Sequence, residues 1–390
     1  MTAWRIRLSR PLISEPTIQR VIDVLRSPDL SLGPALRSFE QAFAAKHGVG
    51  EAVAVSSGTA GLHLAVRLLG LGPSDEAVTT PFSFIASANC LLFEGARPVF
   101  ADIDPDSFTL DLAAAEAAVT PRTRALIPVH VFGNAVDMER VAEIAGRRGL
   151  SVIEDACEAV GGLFRGRALG AWGDFGVFGF YPNKPITTGE GGVVISRDPT
   201  ALPRLRSLRN QGRSATGDGS FDDLGYNYRL SDVAAAIGEG QVADLDGLLA
   251  RRRARQRIYR ELLGGIDQLR VPPFRDDRSP FVFIVQARTH MLRERIRTDL
   301  NSNGIQSAVY FRPIHLEPLY RRRFGFQEGQ FPVTEHAGKT CLAIPFHSSI
   351  TEGEQVEVAT VIRAAVTRHV QESASTQRER STVASAGHGR

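Results

Sequence analysis

The chain has 390 residues, 43% hydrophobic and 23% charged, with a formal net charge of +3. That suffices for one large domain and a smaller one, and the charge is too slight to suggest a nucleic-acid partner; the arginine runs at 251–253 and 321–323 read as solvated faces. No apolar window of about 18 residues suggests a membrane span. The opening MTAWRIRLSRPLISEP lacks a signal-peptide core, and Cys90, Cys157 and Cys341 have no metal-like spacing, so no metal site is expected and the thiols suit a reducing cytoplasm.

In chain order, AVAV (Ala52–Val55) reads as a short buried strand, followed by SSGT and the apolar helix AGLHLAVRLLG. PVFADID (Pro98–Asp104) and ALIPVH (Ala125–His130) are further strands, and VDMERVAEIAGRRG is a helix that Gly149 ends. SVIEDA, DFGVFGF and GGVVIS are the next strands. Alternation of this kind predicts an α/β fold, a largely parallel sheet with helices on both faces. Ligands in such sheets sit outside the carboxyl ends of the strands, so the polar residues that follow strands, Ser57, Asp155 and Lys184, should converge.

Residues Ser231–Leu263 read as one long helical region with Ser231 as its cap. It is expected to link a large domain (residues 1–245, with the N-terminal segment) to a smaller one (246–371) that holds the strand FVFIVQA and the helix HMLRERIRTDLNSNG. The tail from Glu372, ESASTQRERSTVASAGHGR, is polar and without aromatics, and disorder is expected there over 372–390.

Lysine is scarce: Lys46, Lys184 and Lys339 are the only three, and arginine supplies the remaining basic residues. Lys184 stands in the glycine-rich loop GFYPNKPITTGEGG. An amine can form an imine with an aldehyde and a guanidinium cannot, so an arginine-writing sequence that keeps lysine here points to a nucleophile; scarcity alone also allows a plain surface lysine. Asp155 ends an apolar strand, where a carboxylate is costly unless paired. It could hold a protonated pyridine nitrogen, or cap a helix. In SSGTAGLHL the amides of Gly58 and Thr59, the hydroxyls of Ser57 or Thr59 and the helix N-terminus could cradle a phosphate. Phe84 in PFSFIAS could stack on a flat ring or be core.

Lysine, strand-end aspartate, phosphate turn and aromatic plate are together the parts of a pyridoxal phosphate site. With SSGTAGLHLA, PFSFIASANC, IEDACEAVGG, FYPNKPITTGEGG, GYNYRLSDVAAAIGEGQ, PIHLEPLY and AIPFHSSIT in this order, the chain resembles the DegT/DnrJ/EryC1/StrS sugar aminotransferases from about Arg10 to Arg368. The resemblance implies the aspartate-aminotransferase fold (fold type I), with a large domain built on a mostly parallel, seven-stranded type of sheet and a smaller C-terminal α+β domain. It implies that Lys184 is the Schiff-base lysine, Asp155 the partner of the pyridine nitrogen, Gly58 and Thr59 the phosphate turn, Phe84 the ring cover and Glu158 a residue near the ring hydroxyl. Asn227 would reach the phosphate from a neighbouring subunit, and Tyr181, Arg229 and His315 would meet the substrate. Gly179 departs from the pattern, standing where many members have a phosphate-binding serine; Ser57 or a water would substitute.

The implied reaction moves an amino group from an amino acid, glutamate in the first instance, to a nucleotide-linked keto-sugar. Pyridoxamine phosphate is the intermediate form of the cofactor, and the assembly is a homodimer with shared sites. Glu158 in EDACEAVGG resembles the perosamine-synthase-like branch, which acts on 4-keto-6-deoxy sugars. A cyclitol aminotransferase of antibiotic biosynthesis is the alternative. A sugar dehydratase is disfavoured because that branch typically replaces the lysine with histidine, and a cofactor-binding regulator because no basic helix-turn-helix stands beside the core.

Overall fold

The computed structural model describes residues 4–271 and 275–386, with side chains to residue 375. Nine strands build the larger part: β1 (Ala52–Val55), β2 (Glu76–Thr79), β3 (Arg97–Phe100), β4 (Thr123–Ile127), β5 (Ser151–Asp155), the short hairpin β6 (Leu163–Phe164) and β7 (Arg167–Ala168), β8 (Phe175–Gly179) and β9 (Gly192–Ser196). Seven of them form one sheet in the order β1-β9-β8-β5-β4-β2-β3. The pairs β3–β2, β2–β4, β4–β5 and β5–β8 are parallel, and only β9, between β8 and β1, runs the other way. This is the mostly parallel sheet that the alternating pattern predicts. β2 escaped the sequence reading because it is four residues long and begins with an acid. Glu76 is nevertheless buried, its carboxylate taking hydrogen bonds from the Thr120 hydroxyl and the Arg122 guanidinium, each at 2.6 Å.

Helices cover the sheet closely. The helix Gly58–Leu68 lies on β8 and β9, and a Cβ on its Gly61 would come within 2.7 Å of Val177 and 2.9 Å of Val194. The helix Met138–Arg148 ends as expected at Gly149, which adopts a left-handed φ of 64°. Ser231–Leu263 is two helices rather than one, Asp232–Ala243 and Leu245–Leu263, broken at Asp244. Ser231 does cap the first, its Oγ accepting the Ala234 amide at 3.2 Å. The buried Asp232 carboxylate accepts the amides of Gly33 and Leu36 at 2.8 and 3.1 Å, and so caps the start of the helix Pro34–His47 as well.

The smaller part is an antiparallel sheet of β10 (Leu269–Arg270), β11 (Phe283–Ala287) and β12 (Cys341–Ile344), backed by the helices His290–Ser302 and Glu352–Ala386. The helix Leu245–Leu263 joins the two parts. Its Leu245, Leu248 and Leu249 pack in the core of the large sheet, whereas Tyr259 and Leu263 pack in that of the small one. The N-terminal segment, expected with the large domain, contributes Ile6 to the small core, where it bridges to Ile305.

The last helix runs through the segment expected to be disordered, as far as Ala386. Ile362, Ala365 and Val366 anchor it in the small core, and adding turns to a formed helix is cheap. Arg295 also holds Glu372 at 2.7 Å. Residues 387–390 of that segment lie outside the described residues. No helix among the described residues is long and apolar enough to cross a membrane.

Candidate active site

A cavity of about 890 Å³ opens at the carboxyl ends of β1, β2, β5 and β8, closed on its far side by Phe281 and the segment from Val309 to Glu317. Ser57, Gly58, Thr59, Phe84, Asp155, Glu158, Tyr181 and Lys184 all line it, so the convergence expected from strand ends is present. A second cavity of about 300 Å³, lined by Arg167, Ser196, Arg197 and neighbours, holds no carboxylate or lysine and offers no comparable chemistry.

β5 carries two adjacent acids on opposite faces. Glu154 is fully buried and satisfied, accepting the amides of Gly170 and Gly173 at 2.8 and 2.6 Å with His130 Nε2 at 3.0 Å. Asp155, only 4% exposed, faces the cavity. Its Oδ2 accepts the Ser87 hydroxyl at 2.6 Å and its Oδ1 the Cys157 amide at 3.1 Å. Among the described residues no basic side chain pairs with it, which leaves a buried carboxylate suited to a cationic group brought in from outside.

Lys184 follows β8 in a tight turn in which its amide donates to the Tyr181 carbonyl at 2.9 Å. Its Nζ stands 3.8 Å from Glu158 Oε1 and 4.0 Å from the centroid of the Phe281 ring. Glu158 Oε2 accepts the Phe132 amide at 2.8 Å. Burial pushes the Glu158 carboxyl above the usual carboxylate range, against the opposing pull of Lys184 and of that amide.

The turn expected to take the phosphate, residues 57–59, is a close meeting of backbones. A Cβ on Gly58 would sit 2.7 Å from Cys157 Sγ, and one on Gly192 would sit 2.7 Å from the Ser57 carbonyl oxygen. Ser57 Oγ caps the helix by accepting the Ala60 amide at 3.0 Å, and its proton remains free to donate. The first amides of that helix have no carbonyl of their own helix to bond. Gly179 is not glycine for lack of room: a Cβ there would meet Cys157 Sγ at 3.4 Å and Gly58 Cα at 3.7 Å, ordinary contacts. A buried unpaired carboxylate, a lysine across the cavity and a glycine-lined helix N-terminus fit pyridoxal phosphate. Phe84 and Tyr181 stand 61% and 55% exposed at the cavity, unpacked and placed to meet a ligand.

Three expected site residues are not among those lining the cavity. Asn227 is exposed and bridges to Asn210, and Arg229 donates to the Asn210 side-chain oxygen at 3.0 Å. His315 is wholly buried, with its Nε2 3.1 Å from Glu335 and its ring edge-on to Phe331 at 4.7 Å. Burial pushes its pKa down despite Glu335. The cavity is reached instead by Ile314 and Glu317, the first residue of the short turn Ile314–Leu316 that carries His315 and the residue that follows it.

Arg252 was missed in the sequence. It lies in the middle of a run expected to be solvated, yet it is 2% exposed. Its guanidinium donates to the carbonyls of Phe281 at 3.0 Å and Lys184 at 3.4 Å, no carboxylate among the described residues pairs with it, and burial pushes its pKa down to about 10. It therefore ties the lysine loop to the residue whose ring touches the lysine amine.

Residues 11–363 match the DegT/DnrJ/EryC1/StrS aminotransferase family. The chain belongs to this family. The DegT/DnrJ/EryC1/StrS relatives include the spore coat polysaccharide biosynthesis protein SpsC of Bacillus subtilis (strain 168), 36% identical over 91% of this chain and 95% of its own length. The GDP-perosamine synthase of Caulobacter vibrioides is 37% identical over 83% of this chain and 88% of its own. Among solved structures, S. venezuelae DesV in complex with a ketimine intermediate superposes with a TM-score of 0.85 at 36% identity, covering 90% of this chain and 94% of that one. The expected fold and the expected class of enzyme, an aminotransferase, both stand on these likenesses.

Proposed function

We propose that this aminotransferase uses pyridoxal 5'-phosphate to move an amino group from an amino acid, glutamate in the first instance, to a nucleotide-linked keto-sugar of the 4-keto-6-deoxy type. The observation that carries the reading is that one cavity is lined both by Asp155, a buried carboxylate with no basic partner among the described residues, and by Lys184. The sugar-handling names among the relatives, GDP-perosamine synthase in particular, support the substrate class.

When bound, pyridoxal phosphate supplies an electron sink for a carbanion. Asp155 would hold its ring nitrogen protonated through an ionic hydrogen bond. The amides of Gly58 and Thr59 with the hydroxyls of Ser57 and Thr59 would take its phosphate at the helix N-terminus. Phe84 would lie over one face and exclude water. Lys184 Nζ would hold the cofactor and then, once released as a free amine, act as general base and acid, taking a proton from the donor's α carbon and delivering it to the cofactor's carbon. The neighbouring Glu158 carboxylate and the Phe281 ring keep that amine aimed into the cavity. Asn227, outward-facing in this chain, would serve the phosphate of a second subunit, and Arg229 is placed on the same loop. The free thiols of Cys90, Cys157 and Cys341 support a cytoplasmic setting.

Borohydride reduction of the loaded protein followed by peptide mapping should place the cofactor on Lys184; a label on Lys46 or Lys339 would sink the site. Incubation with glutamate and a panel of nucleotide keto-sugars, read by mass spectrometry, should yield an amino-sugar from at least one 4-keto-6-deoxy compound. Amination of cyclitols alone would refute the substrate class.

A further inference from the structure

We propose that Arg312 anchors the diphosphate of the incoming nucleotide-sugar, and that Glu317 neutralises it until the substrate arrives. This deepens, and rests on, the nucleotide-sugar reading above.

The first observation is the charge of the cavity. Its lining carries four carboxylates, Asp155, Glu158, Glu190 and Glu317, and two cations, Lys184 and Arg312. Lys184 is engaged at the reaction centre beside Glu158. A diphosphate entering such a wall meets net repulsion unless Arg312 receives it, because no other cation of this chain lines the cavity among the described residues.

The second is position. The reacting groups are deep: the side chains of Lys184 and Glu158 are 13% and 6% exposed. The Arg312 side chain is 72% exposed, at the lip. In a nucleotide-sugar the diphosphate lies outward of the ring that carries the ketone, so a cation at the lip matches the diphosphate. The carboxylate of an amino-acid donor sits one bond from the reacting carbon and belongs deeper.

The third is that the lip is held in place. On one side of Arg312, Tyr310 Oη accepts the Asn183 amide at 3.2 Å and the Phe311 ring stacks on Phe132 at 5.5 Å. On the other, the Ile314 amide donates to the Pro81 carbonyl at 2.8 Å. The backbone is thus fixed while the guanidinium is free to exchange partners. Its present partner is Glu317 Oε1, 3.0 Å from Nε. An exposed ion pair of this kind is weak, whereas a diphosphate offers paired oxygens to the planar fork of N–H donors. Glu317 then acts as a removable counter-ion that discourages loose anions from settling on Arg312.

The test is calorimetric binding of GDP, UDP and dTDP to the cofactor-loaded protein, alongside steady-state kinetics. Arg312→Gln should weaken the best-bound nucleoside diphosphate by about tenfold or more, as expected for loss of a charge-assisted pair. It should raise the KM of the sugar much more than it lowers kcat. Glu317→Gln should tighten diphosphate binding and make pyrophosphate a stronger competitive inhibitor, and it should do neither when Arg312→Gln is also present. Unchanged diphosphate affinity in Arg312→Gln, or no diphosphate binding by the unaltered protein, overturns the proposal. So does a loss confined to the KM of glutamate, which would make Arg312 the donor's anchor. If diphosphates bind through Arg312 but no nucleotide keto-sugar is aminated, the anchor stands and the keto-sugar reading fails.

Discussion

Asp155→Asn is the substitution that separates the chemistry of the site from its architecture. Asparagine keeps an oxygen for the Cys157 amide, now accepted by Asp155 at 3.1 Å. Its new N–H₂ would face Ser87 Oγ, which stands 2.6 Å from the present carboxylate. That hydroxyl can turn, because the Phe84 carbonyl lies 3.2 Å away as an alternative acceptor, so the serine can receive from asparagine and donate elsewhere. The buried hydrogen bonds therefore survive, and the melting temperature should move by no more than a few degrees. What would disappear is the negative charge that the proposed mechanism sets against the cofactor's cationic nitrogen. At about 4 Å and an effective dielectric constant of about 20, that interaction is worth roughly 4 kcal/mol. Removing a single preorganised stabilising group from a transition state typically costs about 10²–10³-fold, in agreement with it. The half-reaction with glutamate, followed by stopped-flow absorbance of the bound cofactor, should slow by at least about 10²-fold. A rate within about threefold of the unaltered protein would remove Asp155 from the mechanism. A large fall in melting temperature would show instead that its role is architectural.

Gly179→Ser should tighten the cofactor's dissociation constant several-fold, since a Cβ there meets nothing closer than 3.4 Å and the hydroxyl adds a donor to the phosphate turn; weaker binding at unchanged stability would show that the hydroxyl does not reach the phosphate. Burial pushes His47 from the usual 6.5 down to about 4, its ring stacked 3.9 Å from Phe43, so its contribution to stability is complete above about pH 6.5 and is lost as pH falls towards 4. The loss is on the order of 3 kcal/mol, and His47→Phe should flatten that acid limb in melting curves; an unaltered limb would clear His47 of the effect. Mixing Lys184→Ala subunits with Asn227→Asp subunits should restore activity if Asn227 serves the neighbour's phosphate, because each mixed dimer then holds one intact site; no rescue, with exchange confirmed by tagged subunits, would confine Asn227 to its own chain.

The half of the site that lies on the large sheet was legible because its signals are local. An apolar strand that ends in a carboxylate, a strand that runs into small residues and a helix, and a lone lysine among glycines each describe a backbone turn and the side chain it presents. Asp155, Gly58 and Lys184 therefore fell where the strand ends put them. β2 was illegible for the same reason in reverse, since Glu76 breaks the apolar run and its burial depends on Thr120 and Arg122, more than forty residues away. The break at Asp244 has no proline or glycine to announce it.

Arg252 shows where periodicity should have overruled composition. The buried residues Leu245, Leu248, Leu249, Arg252, Tyr259 and Leu263 recur at the spacing of one helix face, and that places the middle arginine of the run inward whatever its charge. The other wall, Phe281, Tyr310, Arg312 and Glu317, had no comparable signal. These residues lie about a hundred positions or more beyond Lys184, and only the packing of the small domain against the large one sets them across the same cavity. His315 marks the limit of motif reasoning. The motif PIHLEPLY does reach the site, but its short turn sends the histidine into the Phe331 and Glu335 cluster and leaves Glu317 at the lip. A motif locates a segment, and the turn within it decides which side chain meets the substrate. That is why the charge on the lip, Arg312 against Glu317, had to be read from the structure.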